Sequence, residues 1–202
     1  MRRQISLLGF TALALIPALA SATTYDESVN GDLSGDRNNP TAIALTTGSN
    51  LITATSISGD VEYFTLTLPP GQRLFSVVVK SNTSSSLSFI AVQAGSTFTE
   101  PPTGTVVSHL LGYSHFGVGN STIGKDILPM MGTGAGAIGF TPPLTAPPYT
   151  FWSQETSSVA STYTLDFVVT PPPAPVPLSP FAMGALALLM LGFAARRLSK
   201  HT

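Results

Sequence analysis

Two stretches of this chain repeat with a period of two, and that periodicity constrains the fold more than any other feature. In Glu62-Tyr63-Phe64-Thr65-Leu66-Thr67-Leu68, the side chains of Phe64, Leu66 and Leu68 fall on one face, and Tyr63, Thr65 and Thr67 on the other. In Tyr163-Thr164-Leu165-Asp166-Phe167-Val168-Val169, the residues Tyr163, Leu165, Phe167 and Val169 share a face. An extended chain turns successive side chains to opposite sides, so both stretches are predicted to be half-buried strands. Further strands are predicted at Ala42–Thr46, Leu51–Thr55, Arg73–Lys80, Leu87–Gln93, Thr105–Leu111 and Tyr149–Gln154, with Pro69-Pro70-Gly71 as a tight turn. No capped amphipathic helix of useful length stands between them. Many short strands separated by turn residues predict a mainly β fold, an antiparallel β-sandwich.

The two ends have a different composition. Arg2 and Arg3 precede the apolar run Ile5–Ala20, and Ala20-Ser21-Ala22 places small residues at Ala20 and Ala22, as a cleavage site requires. Residues 1–22 are therefore predicted to be a helical signal peptide that delivers the chain to the Sec translocon and takes no part in the fold. At the other end Phe181–Ala195 is apolar on every face, so it is not an amphipathic core helix. Its fifteen residues would span about 22 Å as a helix, against roughly 30 Å of hydrocarbon. Pro177 and Pro180 oppose extension of the helix toward the N-terminus. Arg196, Arg197 and Lys200 form a basic stop that would remain cytoplasmic. Residues 181–202 are thus predicted to be a transmembrane helix with its stop. The chain is expected to be exported and to sit, at least transiently, in a membrane.

Between these ends lies Thr23–Thr170, 148 residues, enough for one domain with a real core. Residues 171–180 follow as a proline-rich spacer, stiff and extended at Pro171-Pro172-Pro173-Ala174-Pro175. All ten acidic residues fall within 23–170, where Arg37, Arg73, Lys80 and Lys125 are the only basic ones, giving a net charge of −6. Nucleic acid and anionic lipid headgroups both require clustered Lys and Arg, so the domain is not expected to bind either. The chain has no cysteine. That excludes disulfides, zinc–thiolate sites, a cysteine nucleophile and thiol redox chemistry, and leaves packing or bound ions to hold an exported fold together.

The C-terminal parts, in order, carry a resemblance. Val176-Pro177-Leu178-Ser179-Pro180, then a short helix rich in Gly, Ala and Leu, then Arg196-Arg197, resemble a PEP-CTERM sorting signal in its VPLPA-like form. The resemblance implies recognition by exosortase, a membrane-embedded protease and transpeptidase that cuts near the proline motif. It also implies a Gram-negative cell, with the chain at least transiently in the inner membrane and afterwards in the cell envelope or outside the cell, and a link with extracellular polysaccharide. Val176, Pro177, Leu178, Ser179, Pro180, Arg196 and Arg197 would be the sorting determinants. The middle of the chain is similar to bacterial pre-peptidase C-terminal domains. That similarity rests on Asn30-Gly31-Asp32-Leu33-Ser34-Gly35-Asp36, on Gly48-Ser49-Asn50-Leu51-Ile52, and on Gly59-Asp60-Val61-Glu62-Tyr63-Phe64 with Pro69-Pro70-Gly71. Tyr149-Thr150-Phe151-Trp152 and Tyr163–Phe167 match the closing strands of that family. The similarity implies a non-catalytic β-sandwich.

Residues that could carry chemistry are few. Gly132–Gly139 is glycine-rich, but without a preceding strand, a following helix or a lysine it reads as a flexible surface loop and not as a phosphate cradle. His109 and His115 stand six apart on a turn-rich segment, with no G-x-S-x-G elbow and no H-E-x-x-H helix. Glu100, Asp126 and Glu155 are the carboxylates available to a glycosidase pair. Asp32, Asp36, Asp60 and Glu62 fall in two loops that a sandwich can bring together, and their hard oxygens suit Ca2+, although Asp and Asn also favour turns for local reasons. Tyr113, Phe116, Tyr149 and Trp152 are either core residues or a stacking platform for sugars. Asn82-Thr83-Ser84 and Asn120-Ser121-Thr122 have the form of glycosylation sequons. No residue is assigned a catalytic role. The expected function is that of an exported, non-enzymatic surface protein. The alternatives are a polysaccharide-binding module or hydrolase, and a permanently anchored single-span protein.

Overall fold

The computed structural model describes residues 24–145 and 148–174. The predicted signal peptide with Ala20 and Ala22, the predicted sorting motif and the predicted transmembrane helix lie outside the described residues. Among the described residues, no helix is long and apolar enough to cross a membrane.

Among the described residues nine strands form two sheets. In chain order they are β1 (Thr24–Asp26), β2 (Thr41–Ala44), β3 (Leu51–Ser56), β4 (Val61–Thr67), β5 (Arg73–Asn82), β6 (Ser88–Ala94), β7 (Gly112–Phe116), β8 (Tyr149–Glu155) and β9 (Ser161–Thr170). One sheet has the order β1-β3-β9-β5 and the other β2-β4-β8-β6-β7. Two short helices, α1 (Glu27–Asn30) and α2 (Leu128–Gly132), complete the fold. The compact unit ends at Pro171.

The alternation in the sequence fixes which face of each strand enters the sandwich. Phe64, Leu66 and Leu68 from one sheet meet Tyr163, Leu165, Phe167 and Val169 from the other in a single buried cluster. Phe167 makes edge-on contacts with Phe64 and Phe151, at centroid separations of 5.9 and 5.3 Å. Phe116 meets Tyr163 edge-on at 5.4 Å. Aromatic pairs prefer this arrangement because the positive ring edge faces the negative ring face.

The structure corrects the sequence reading in four places. The sheets are mixed and not purely antiparallel, since β1 pairs with β3 and β2 with β4 in parallel. The segment Thr105–Leu111 is not a strand. Its centre is a 3-10 turn at Val107–His109, and the strand lies later, at β7. The strands are also more than half buried. Tyr63 and Thr65 face away from the sandwich interior, yet both are buried because residues 95–111 fold over them, with Phe98 and Leu110 packed against Tyr63, Ala91 and Trp152.

The fourth correction concerns the glycine-rich segment, which is strapped down. Ile138 and Gly139 donate backbone hydrogen bonds to Leu110 and Leu111, Phe140 donates to Gly132, and Leu144 exchanges a pair with Leu74. Its glycines allow close approach. A Cβ on Gly132 would stand 2.2 Å from the Phe140 carbonyl oxygen, and one on Gly112 would stand 2.3 Å from that of Met131. Residues 124–127, ahead of that segment, cover the free edge of β5, where Ile127 donates to Val77 and Gly124 to Val79. An uncovered edge would offer unpaired amides to another chain.

Candidate functional site

Four carboxylates gather where the N-terminal segment crosses the end of the sandwich. Asp26 caps α1 by accepting the Ser28 amide at 2.9 Å, so Glu27 falls in the first helical turn. The Glu27 carboxylate is then pinned on both sides. Its Oε1 accepts the Leu33 amide at 3.1 Å, and its Oε2 accepts the Thr55 amide of β3 at 2.6 Å. Gly31 adopts a φ of 92°, a conformation that favours glycine. The Tyr25 hydroxyl donates to the Gly31 carbonyl, holding the loop that presents Asp32.

Glu62 arrives from the opposite side, as the second residue of β4, on the inward face with Phe64 and Leu66. Carboxylate oxygens of Glu27, Asp32 and Glu62 all lie within 4.8 Å of one another. Glu62 is 0 % exposed, and neither of its oxygens has a hydrogen-bond partner. Burying an acid unsatisfied is costly, and strands rarely tolerate it.

The electrostatics follow from this geometry. Burial, reinforced by Glu27, Asp60 and Asp32, pushes the Glu62 acid up to about 9. Burial also raises Asp60, with Asp32 adding to it. In Glu27 burial again dominates and the shift is upward, although the amides of Thr55 and Leu33 oppose it. Among the described residues the ion pair is His109–Glu100, at 2.8 Å, and it lies apart from this cluster. Every charged group acting on Glu62 is itself a carboxylate.

Of the predicted ligands, Asp32 and Glu62 come together, with Asp60 close enough to act on both. Asp36 does not join them. Its side chain accepts the Asn38 amide at 2.9 Å and closes a local turn, the alternative use open to an Asp in a loop. Glu27 takes the place expected of Asp36. The sequence signal for it is faint, because a three-residue parallel strand carries Glu27 to β4.

A second feature lies on the outer face of the five-stranded sheet. Phe89, Tyr113 and Trp152 line a cleft of about 220 Å³, bordered by Thr105 and Gln154. Phe89 meets Trp152 edge-on at 4.7 Å, and Tyr63 stacks on the same indole at 6.3 Å. Neither the Trp152 Nε1 nor the Tyr63 hydroxyl has a hydrogen-bond partner. Burial pushes the Tyr63 phenol up to about 12. Of the four aromatics weighed from sequence, Tyr113 and Trp152 line this cleft, whereas Phe116 and Tyr149 belong to the core.

The remaining candidates serve local structure. Glu100 accepts the Val106 amide and the His109 ring, Asp126 accepts the amides of Val77 and Leu128, and Glu155 accepts Ser88 together with the amides of Thr156 and Ser157. The His109 side chain is 60 % exposed, and His115 packs its ring edge-on against Phe89. Asn82, in the first sequon, is buried and donates to Ser88.

Comparison with protein-family models, with curated proteins and with solved structures gives no match to this chain.

Proposed function

We propose that this chain is an exported, non-enzymatic surface protein of the cell envelope: one β-sandwich presented by a C-terminal sorting tail. One observation carries the reading. The sandwich core draws its residues from Leu33 to Val169, and the compact unit ends at Pro171, where the proline spacer begins. The residues that resemble a sorting signal, 176–200, follow after it in the sequence. An exosortase-type protease would read Val176-Pro177-Leu178-Ser179-Pro180 together with Arg196-Arg197, and the envelope and its polysaccharide matrix would be the destination.

Mass spectrometry of the mature protein tests this directly. A new C-terminus near Pro177–Pro180 is the expected result, and deletion of residues 181–202 should change where the protein accumulates. Deletion without any change in distribution or maturation would refute the proposal. An intact C-terminus in membrane fractions would favour a permanently anchored single-span protein.

The aromatic cleft favours a second reading, a polysaccharide-binding module. Phe89 and Tyr113 offer ring faces beside Thr105 and Gln154, a combination that suits a sugar's apolar face and hydroxyl rim. Trp152 is the sole tryptophan, so its fluorescence reports the cleft without interference. Titration with matrix polysaccharide should shift that emission. An unchanged spectrum at saturating sugar would exclude the cleft.

A further inference from the structure

The acidic cluster goes beyond sorting and presentation, and it stands whether or not the tail is processed. We propose that Glu27, Asp32 and Glu62 form a divalent-cation site for a hard, calcium-sized ion, with Asp60 completing its electrostatic surroundings.

Two independent observations point to a ligand there. The first is geometric. Oxygens from three separate segments, α1, the loop after it and β4, already lie within 4.8 Å of one another. Calcium accepts an irregular cage of oxygens at roughly 2.3–2.6 Å, whereas magnesium demands near-ideal octahedral geometry and keeps several waters. Three carboxylates converging on one point suit the more tolerant ion.

The second observation is the state of Glu62. It is fully buried, directed into the cluster, and both its oxygens lack a partner. Asp32, on the exposed loop, can turn to water, and Glu27 already accepts two backbone amides, but Glu62 has neither recourse. A cation is the one partner that would satisfy both of its oxygens and its two carboxylate neighbours together. The three carboxylates offer up to six oxygens, in the range that calcium takes.

The hydrogen bonds around Glu27 support this role. The amides of Leu33 and Thr55 orient its carboxylate and leave lone pairs free, as outer-shell donors commonly do for a metal ligand. Because the ligands come from different segments, a bound ion would clamp β1 and α1 onto β4. The site would thus be a structural staple for a chain that has no cysteine.

The test uses the full chain, purified in detergent and stripped with EDTA, with calcium chloride and magnesium chloride as probes. Calcium at about 100 times its dissociation constant should raise Tm by roughly 5–10 °C. Magnesium at the same concentration should give a smaller rise. Glu62→Gln keeps the shape and removes the charge, so it should fold with an unchanged circular dichroism spectrum, melt no lower than the stripped wild type, and lose the calcium response. Asp32→Asn should weaken binding by about 10-fold or more, whereas Asp36→Asn should leave it unchanged. The proposal is overturned if calcium at millimolar concentration gives no shift, if Glu62→Gln responds like wild type, or if magnesium acts as strongly as calcium.

Discussion

Asn50 offers the sharpest test of how the connection between β2 and β3 is fastened to β9. It is fully buried, and its amide nitrogen donates to the carbonyls of Thr46, Gly48 and Phe167 at 2.9, 3.0 and 2.9 Å. Its side-chain oxygen accepts the Thr46 amide at 2.8 Å, and its backbone amide donates to Asp166. Asn50→Asp preserves the shape and the acceptor but removes both donors. Two buried N–H donors are lost, at about 1 kcal/mol each, while the Gly48 carbonyl keeps the Val169 amide. A carboxylate among these carbonyls, beside Asp166, adds a further ~1–2 kcal/mol. The expected loss is therefore about 3–4 kcal/mol at neutral pH, a large share of the ~5–15 kcal/mol that holds a typical domain together. Burial raises the new acid above its unfolded value, so the deficit should shrink as pH falls and the acid regains a proton to donate. Urea unfolding followed by Trp152 fluorescence at pH 7 and pH 4.5 measures both quantities. A loss below about 1 kcal/mol at pH 7, or a deficit that grows on acidification, would refute the account of Asn50 as a three-way donor.

Other expectations follow from the same structure. In EDTA, stability should fall as pH rises from 5 to 8, because Glu62 is raised from 4.5 to about 9 and binds a proton in the folded state that the unfolded chain has released. Its contribution is fully present below the unfolded value and lost toward the folded one. Three pH units correspond to about 4 kcal/mol, which relaxation of water around the exposed Asp32 halves to about 2 kcal/mol, and Glu62→Gln should flatten the profile. Gly132→Ala should cost about 2–3 kcal/mol through its clash with the Phe140 carbonyl, whereas Gly35→Ala, with 3.8 Å to its nearest neighbour, should stay within about 0.5 kcal/mol in the same urea assay. Trp152→Ala should cost about 3–5 kcal/mol by calorimetry, and Trp152→Phe less than about 1.5 kcal/mol, since phenylalanine keeps the ring contacts and removes an unpartnered N–H.

Strands with clean alternation were legible in the sequence almost to the residue, β4 and β9 above all, because the period itself states which side faces the core. Of the short edge strands β2 was legible, expected at Ala42–Thr46 and found at Thr41–Ala44, but β1 and β7 were not. β1 and β7 carry three and five residues, too few to establish a period, and they exist because neighbouring strands offer free amides. The covering of Tyr63 and Thr65 was equally hidden, since it depends on residues 95–111 returning over a sheet they do not belong to. The glycine-rich stretch misled for a related reason. Composition suggests slack, but Gly112 and Gly132 are small so that backbones can touch. At the acidic cluster, Asp32, Asp60 and Glu62 stood out as oxygen donors from residue type alone. Choosing Glu27 over Asp36 required the parallel pairing of β1 with β3, which no local pattern encodes.

The strand order has a consequence for the moment of folding. β8 stands at the centre of one sheet, between β4 and β6, and β9 lies between β3 and β5 in the other. The two innermost ribbons are thus the last to be synthesised. A polypeptide threaded head-first through a narrow channel would carry two half-built layers with open seams until Thr170 emerged. Closure of both would then come as one late event, leaving the preceding segments pliable enough to pass.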